Sequence, residues 1–271
     1  MIPDKLKKVP PFQPVAARLL TLLSHEDVTV AEIADLISSD AAFTARLLQR
    51  ANSVLYGSRN SVTDTRDAIT RIGLDETRRI VVLLGAAGYV HRAPSCVEMQ
   101  DCWRHSLATA VLAHEIAKTS PVFSKTAFTA GILHDIGRIG LLAVYSNEYI
   151  RGIRDANGHH LDLLDFEREC FGVDHAEAGR ILAEEWKLPS EFRIVAGRHH
   201  DRCEGVELDL VWIVHVACRL ADLLGFSVLS QPCGDDTKAL LDTLPAGAGQ
   251  HLQGREEELR VQIEDYTKAM T

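Results

Sequence analysis

Apolar positions along the chain recur mostly at three- and four-residue intervals, and alternating runs are weak, so the pattern predicts helices almost throughout. VAARLLTLL at 15–23 follows Pro14, a residue that suits a first helical turn. VTVAEIADLISSD at 28–40 repeats the period, with Thr29 placed to cap the helix and Glu32 three residues on to complete a capping box. AAFTARLLQRANS at 41–53 runs to a stop at Tyr56-Gly57, and shorter amphipathic stretches follow at 64–73 and 75–90. After a break at 91–96 around Pro94, longer helices are predicted over 99–118, 124–145, 147–156, 161–169, 174–186, 189–200 and 208–225. Residues 226–252 read as loop because QPCGDD and LPAGAGQ are rich in turn formers, and 255–270 returns to an amphipathic helix. The expected class is all-α: a helical core over 94–230, an additional helical subdomain over 1–93, and a C-terminal loop with a packing helix over 231–271.

Composition narrows the function classes. The 271 residues are 46% hydrophobic and only 6% aromatic, which suits helix packed on helix. A formal net charge of -9 argues against a nucleic-acid-binding surface spread over the molecule, leaving only local basic pairs such as Arg78-Arg79. The six cysteines show no CxxC spacing, so a zinc ribbon or thioredoxin-like motif is not expected. No apolar leader is evident, and the apolar run IVVLLGAAGYV at 80–90 is too short to span a bilayer. The expected setting is therefore a reducing cytoplasm, away from membranes.

One decapeptide breaks the apolar rule. GILHDIGRIG at 131–140 sets His134 and Asp135 inside a run that otherwise leaves water, and a buried carboxylate needs a partner. His105, His175, the pair His199-His200 and Asp222 lie on other strongly apolar helices. Singly, each has an ordinary account as a cap, a helix-end cation or an ion pair, such as Asp222 with Arg219 one turn earlier. Together they form a mixed imidazole and carboxylate set, which suits Fe, Mn, Mg or Zn rather than a thiolate-type site.

The segments WRHS, LHDIGR, DHAEAG, RHHD and RLAD stand in an order and spacing similar to those of the HD superfamily of metal-dependent phosphohydrolases, in its HD-GYP-like arrangement, over residues 95–226. Upstream, LKKVPPFQPVAARLLTLL, ISSDAAFTARLLQRANSVLYG and AITRIGLDETRRIVV resemble the HDOD family, an HD-related output domain of bacterial signalling proteins. HDOD is the family name that fits the whole of 5–226. The resemblance implies two divalent ions bridged by Asp135, one held with His105, His134 and Asp222, the other with His175, His199 and His200. It also implies catalytic roles for Asp135 and Arg138 if the chain is an enzyme, and an extra carboxylate at Asp101, for which a solvated first-turn acid is the simpler account. Two departures stand out. A Gly-Tyr-Pro signature after the histidine pair is missing, and Arg138 stands where the enzymes usually show lysine. The resulting expectation is a regulatory module that retains a metal site and contacts signalling proteins. The alternatives are an active phosphohydrolase on a phosphate-containing small molecule such as a cyclic nucleotide, and a metal-free helical scaffold. The oligomeric state is left open.

Overall fold

A computed structural model describes residues 5–25, 27–56, 61–91, 96–120, 122–159, 162–201, 208–229 and 236–270. Gly57, the break at Pro94, most of QPCGDD, and Cys203 and Cys233 fall outside the described residues. Every regular element among the described residues is a helix, as the periodicity requires. The chain divides into two compact units: Pro11–Tyr89 with Trp186–Pro189, and Met1–Pro10, Val90–Glu185 and Ser190–Thr271.

The first unit holds α1 (Pro14–Leu23), α2 (Val30–Ser38), α3 (Ala41–Ala51), α4 (Thr65–Ile72) and most of α5 (Leu74–Val90). The capping box on α2 is present: the Thr29 amide donates to Glu32 Oε2 at 2.9 Å, and the Glu32 amide to Thr29 Oγ1 at 3.3 Å. Its core joins Leu19, Ile33, Ile37, Phe43, Leu47 and Ile69, with Trp186 stacked on Phe12 and met edge-on by Tyr89.

The second unit is built on α6 (Val97–Ala117), which is buried without interruption from 105 to 113. A helix enclosed on most sides needs apolar residues on most sides, and SLATAVLA supplies them. Packed on it are α7 (Ala127–Leu133), α13 (Leu210–Ala221), α15 (Ala246–Leu252) and α16 (Glu256–Met270). α8 (Ile136–Val144) meets α11 (His175–Glu185), which also packs on α12 (Ser190–Arg198), and α9 (Ser146–His159) pairs with α10 (Leu163–Phe171).

Three expectations need correction. Residues 226–252 are not all loop: α14 (Thr237–Leu241) and α15 form there, burying Leu240, Leu241, Ala248 and Leu252 despite the glycines. The stretch Ala127–Val144 does have the length and apolarity to cross a membrane, but 89% of it is buried inside the protein. And 124–145 is two helices, not one, with the break at His134-Asp135. Asp135 leaves helical geometry (φ -103°, ψ 20°) and precedes α8 without a side-chain capping bond. On an unbroken helix adjacent side chains diverge by about 100°; the break lets both point into one interior.

The C-terminal segment is held to α6 by a buried carboxylate. Glu115 is 1% exposed and accepts from Lys118 Nζ at 2.5 Å and Arg255 Nη1 at 3.2 Å. Burial pushes its carboxyl up, but Lys118 and then Arg255 hold it below the ordinary carboxylate value. A depressed folded pKa contributes stability that is present above the unfolded value, about 4.3, and is lost as pH falls through the folded one. Glu115→Gln should therefore be less stable than the parent at neutral pH, by about 1–3 kcal/mol. The gap should narrow on acidification below about pH 5. Thermal melts across that range check this; parallel acid limbs would remove Glu115 from the account.

Candidate metal centre

Each side chain of the centre is delivered by a helix end or a helix face of the second unit. His105 comes from the middle of α6, and His134 and Asp135 from the turn between α7 and α8. His175 opens α11, and His199 and His200 follow the last residue of α12. Both adjacent pairs thus sit where the helix has stopped. Two glycines make room for this. A Cβ on Gly131 would lie 2.5 Å from Ala110 Cα, so α7 touches the backbone of α6. A Cβ on Gly137 would lie 1.9 Å from the His175 carbonyl oxygen, so α8 touches the start of α11.

The imidazole orientations follow from their outer nitrogens. His134 Nδ1 lies 2.7 Å from the Gly131 carbonyl, His199 Nδ1 3.0 Å from the Ala196 carbonyl, and His105 Nδ1 3.0 Å from the Phe226 carbonyl. A carbonyl only accepts, so each Nδ1 carries the proton and each Nε2 turns inward. Phe226 closes a π-helical turn over Asp222–Phe226 that extends α13. His175 Nδ1 donates instead to Glu167 Oε2 at 2.7 Å; the His175 amide donates to the same oxygen at 2.7 Å, and the Tyr149 hydroxyl donates to Oε1. Glu167 is fully buried, and although burial raises its carboxyl, His175 holds it below the ordinary range.

Inside this ring, acceptors face one another. His134 Nε2, His199 Nε2 and Asp135 Oδ1 are buried and have no hydrogen-bond partner. One atom from each of the three residues lies within 4.8 Å of the others, with His199 Nε2 3.4 Å from Asp135 Oδ1. Burial, reinforced by His199 and His105, keeps the His134 imidazole well below its ordinary pKa despite Asp135, so it is neutral with a free lone pair. Each unpaired buried acceptor costs about 1–3 kcal/mol. A cation among them satisfies all three at once, and the donor set fits one.

The other side of Asp135 is already occupied. Arg138, one turn along α8 and itself buried, donates from Nε to Asp135 Oδ2 at 2.7 Å and from Nη2 to His175 Nε2 at 3.0 Å. Burial pushes the Asp135 carboxyl up, but this guanidinium and the imidazoles hold it well below its usual value. Guanidinium has no acceptor, so His175 Nε2 must be the acceptor. His200 Nε2 stands 2.7 Å from the same atom. His175, His199 and His200 together form a further group whose ligand atoms lie within 4.8 Å of one another.

The structure thus brings His105, His134, Asp135, Arg138, His175 and His199 together in the interior, with His200 on the exposed rim. Asp222 lies apart from the inward nitrogens: its Oδ1 is 3.5 Å from His105 Nδ1, on the ring's outer side. Asp101 pairs only loosely with Arg104, at 3.9 Å. Three participants had no place in the sequence reading: Glu167, Tyr149 and Cys218, whose Sγ is 3.4 Å from His105 Nε2. Glu167 was detectable. Leu163, Glu167 and Phe171 share the buried stripe of α10, so a carboxylate there poses the same question as Asp135.

An all-helical unit that converges five imidazoles on a buried carboxylate defines a candidate metal-binding helical domain. The chain belongs to the HDOD domain family, whose sequence profile matches residues 9–202. It is 25% identical over 207 residues to an uncharacterized protein of Treponema pallidum (strain Nichols), the match covering 74% of this chain and 39% of that protein's length. Among solved structures it resembles an HDOD domain protein of unknown function from Geobacter sulfurreducens (TM-score 0.75, 24% identity, 97% of this chain and 91% of that one). A Shewanella amazonensis protein provisionally assigned as a phosphohydrolase is also similar (TM-score 0.70, 24% identity, 96% and 97% covered). So is a Marinobacter aquaeolei protein provisionally assigned to signal transduction (TM-score 0.75, 18% identity, 97% and 60% covered). At these identities the structural likenesses establish the fold.

Proposed function

We propose that the protein is a regulatory HDOD module whose buried centre takes one divalent cation at His134, Asp135 and His199, with Arg138 standing where a second cation would bind. The observation that supports this most is the guanidinium itself, seated between Asp135 Oδ2 and His175 Nε2 at 2.7 and 3.0 Å. Two-metal phosphoryl chemistry uses a bridging carboxylate to set two cations about 3.5–4 Å apart across the reacting phosphoryl group. Here one carboxylate oxygen is committed to a side chain that cannot coordinate water or polarise it as a metal does. A single cation would neutralise the facing acceptors and fix the ends of α7, α8 and α12 against one another; signalling proteins are the partners this role calls for.

Metal analysis of the chelator-stripped chain, reloaded with manganese, iron or zinc, tests this. About one equivalent should bind, His134→Ala should bind none, and Arg138→Gln should approach two, because it frees Asp135 Oδ2 and His175 Nε2. A panel of phosphodiesters should not be turned over. Two equivalents in the parent, or turnover that Asp135→Ala abolishes, would reject the module in favour of a second reading.

That second reading is a metal-dependent phosphohydrolase. Arg138 Nη1 is buried without a hydrogen-bond partner, a donor suited to a phosphate oxygen. The provisional phosphohydrolase assignment of the Shewanella amazonensis protein points the same way.

A further inference from the structure

Resting on the one-cation reading, we infer that Cys218 is a thiolate ligand of that cation, so that the centre is a mixed nitrogen–sulfur site built for a borderline metal such as zinc, cobalt or ferrous iron. Cys218 lies on α13 and is 6% exposed, with its Sγ 3.4 Å from His105 Nε2. On one zinc ion, bonds of about 2.3 Å to sulfur and about 2.0–2.1 Å to nitrogen place two neighbouring ligand atoms about 3.1–3.8 Å apart for angles of about 90–120°. The observed spacing, at present that of a thiol–imidazole hydrogen bond, falls within this range. One ligand atom each from Cys218, His105 and His134 lie within 4.8 Å of one another, and His134 Nε2 is buried with no partner.

His134 ties this triad to the one with Asp135 and His199. Its Nε2 has a single lone pair, so it can serve only one ion, and if both triads close on that ion it is five-coordinate. Cys218 also precedes Asp222 by four residues and shares its helix face. The two divide the His105 ring between them: the sulfur is at Nε2, and the carboxylate is 3.5 Å from Nδ1, whose proton goes to the Phe226 carbonyl. The Phe226 carbonyl thereby backs the imidazole, as acceptors behind metal-bound histidines do, with Asp222 beside it, and Cys218 fills the coordinating position. Before loading, the thiol is a weak donor to His105 Nε2; on loading, its proton leaves to solvent and the sulfur coordinates. A soft donor disfavours magnesium and manganese, which prefer oxygen.

Cobalt(II) reports the ligand directly. The chelator-stripped 271-residue chain is titrated with cobalt chloride and followed by absorption. The expected spectrum combines visible d–d bands with a near-ultraviolet thiolate-to-cobalt charge-transfer band. Cys218→Ser should lose the charge-transfer band and keep the visible ones, and Cys102→Ser should keep both. Visible bands without charge transfer in the parent overturn the thiolate assignment and leave the one-cation reading standing, as does a band that survives Cys218→Ser. A chain that takes up no cobalt overturns both. Thermal melts of the stripped proteins establish that each variant is folded before its spectrum is compared.

Discussion

Gly137→Ala should lower the melting temperature by about 6–12 °C, because a single methyl group there has nowhere to go. Its Cβ would fall 1.9 Å from the His175 carbonyl oxygen and 2.3 Å from the Gly179 amide nitrogen. Both obstacles are backbone, so no rotamer change relieves the clash and α8 must part from α11. Overpacking a core usually costs about 1–3 kcal/mol, and backbone against backbone belongs at or beyond the upper end. At about 2–4 °C per kcal/mol for a chain of this size, about 3 kcal/mol gives the stated fall. Gly137 is flanked by Ile136 and Arg138 and sits two residues after Asp135, so the same movement would draw Arg138 away from His175. Circular-dichroism melts decide the matter; a melt superimposable on the parent's would mean that α8 and α11 do not approach as closely as described.

The second large effect belongs to Glu167. Replacement by Ala should cost about 3–5 kcal/mol, since it strands the His175 amide and ring proton and the Tyr149 hydroxyl in a dry interior. Replacement by Gln should cost only about 1 kcal/mol. The retained amide oxygen can take both His175 donors, and the new NH2 can face Tyr149, whose hydroxyl rotates to accept. The contrast matters more than either value. Equal losses for the two variants would show that packing, not hydrogen bonding, holds this carboxylate in place. Near-ultraviolet circular dichroism, sensitive to the buried Tyr149 and its neighbour Phe171, gives a second readout of the same site.

Much of this architecture was legible in the residues. The 3.6-residue period marks nearly every helix of the first unit, and Thr29 with Glu32 marks the start of α2. Legibility failed where tertiary contact outweighed local preference. Residues 237–252 contain two glycines and a proline, yet they form helices because Leu240, Leu241, Leu244 and Leu252 are buried against the rest of the unit. The break between α7 and α8 has no proline to announce it. It accompanies the convergence of Asp135 on the imidazoles of α11 and of the residues after α12, which lie far along the chain. The centre divides in the same manner. His105, His134, Asp135, His175 and His199 could be picked out as polar residues on apolar helices, and they converge. Cys218 could not, because a lone cysteine on an apolar helix reads as a small hydrophobe. Nor could the placement of Arg138 across the carboxylate, since spacing along a helix says which residues can meet and not which will.

The outer nitrogens of His134 and His199 are tethered to carbonyls three residues back in their own helices. Those tethers form with the helices themselves and ask nothing of a visiting ion. A cation that bound here would therefore meet a scaffold already in place, and would alter the electrical character of the interior more than its shape. Any message the domain relays from this centre would travel as an altered field at the ends of α8, α11 and α12, with little motion to betray it.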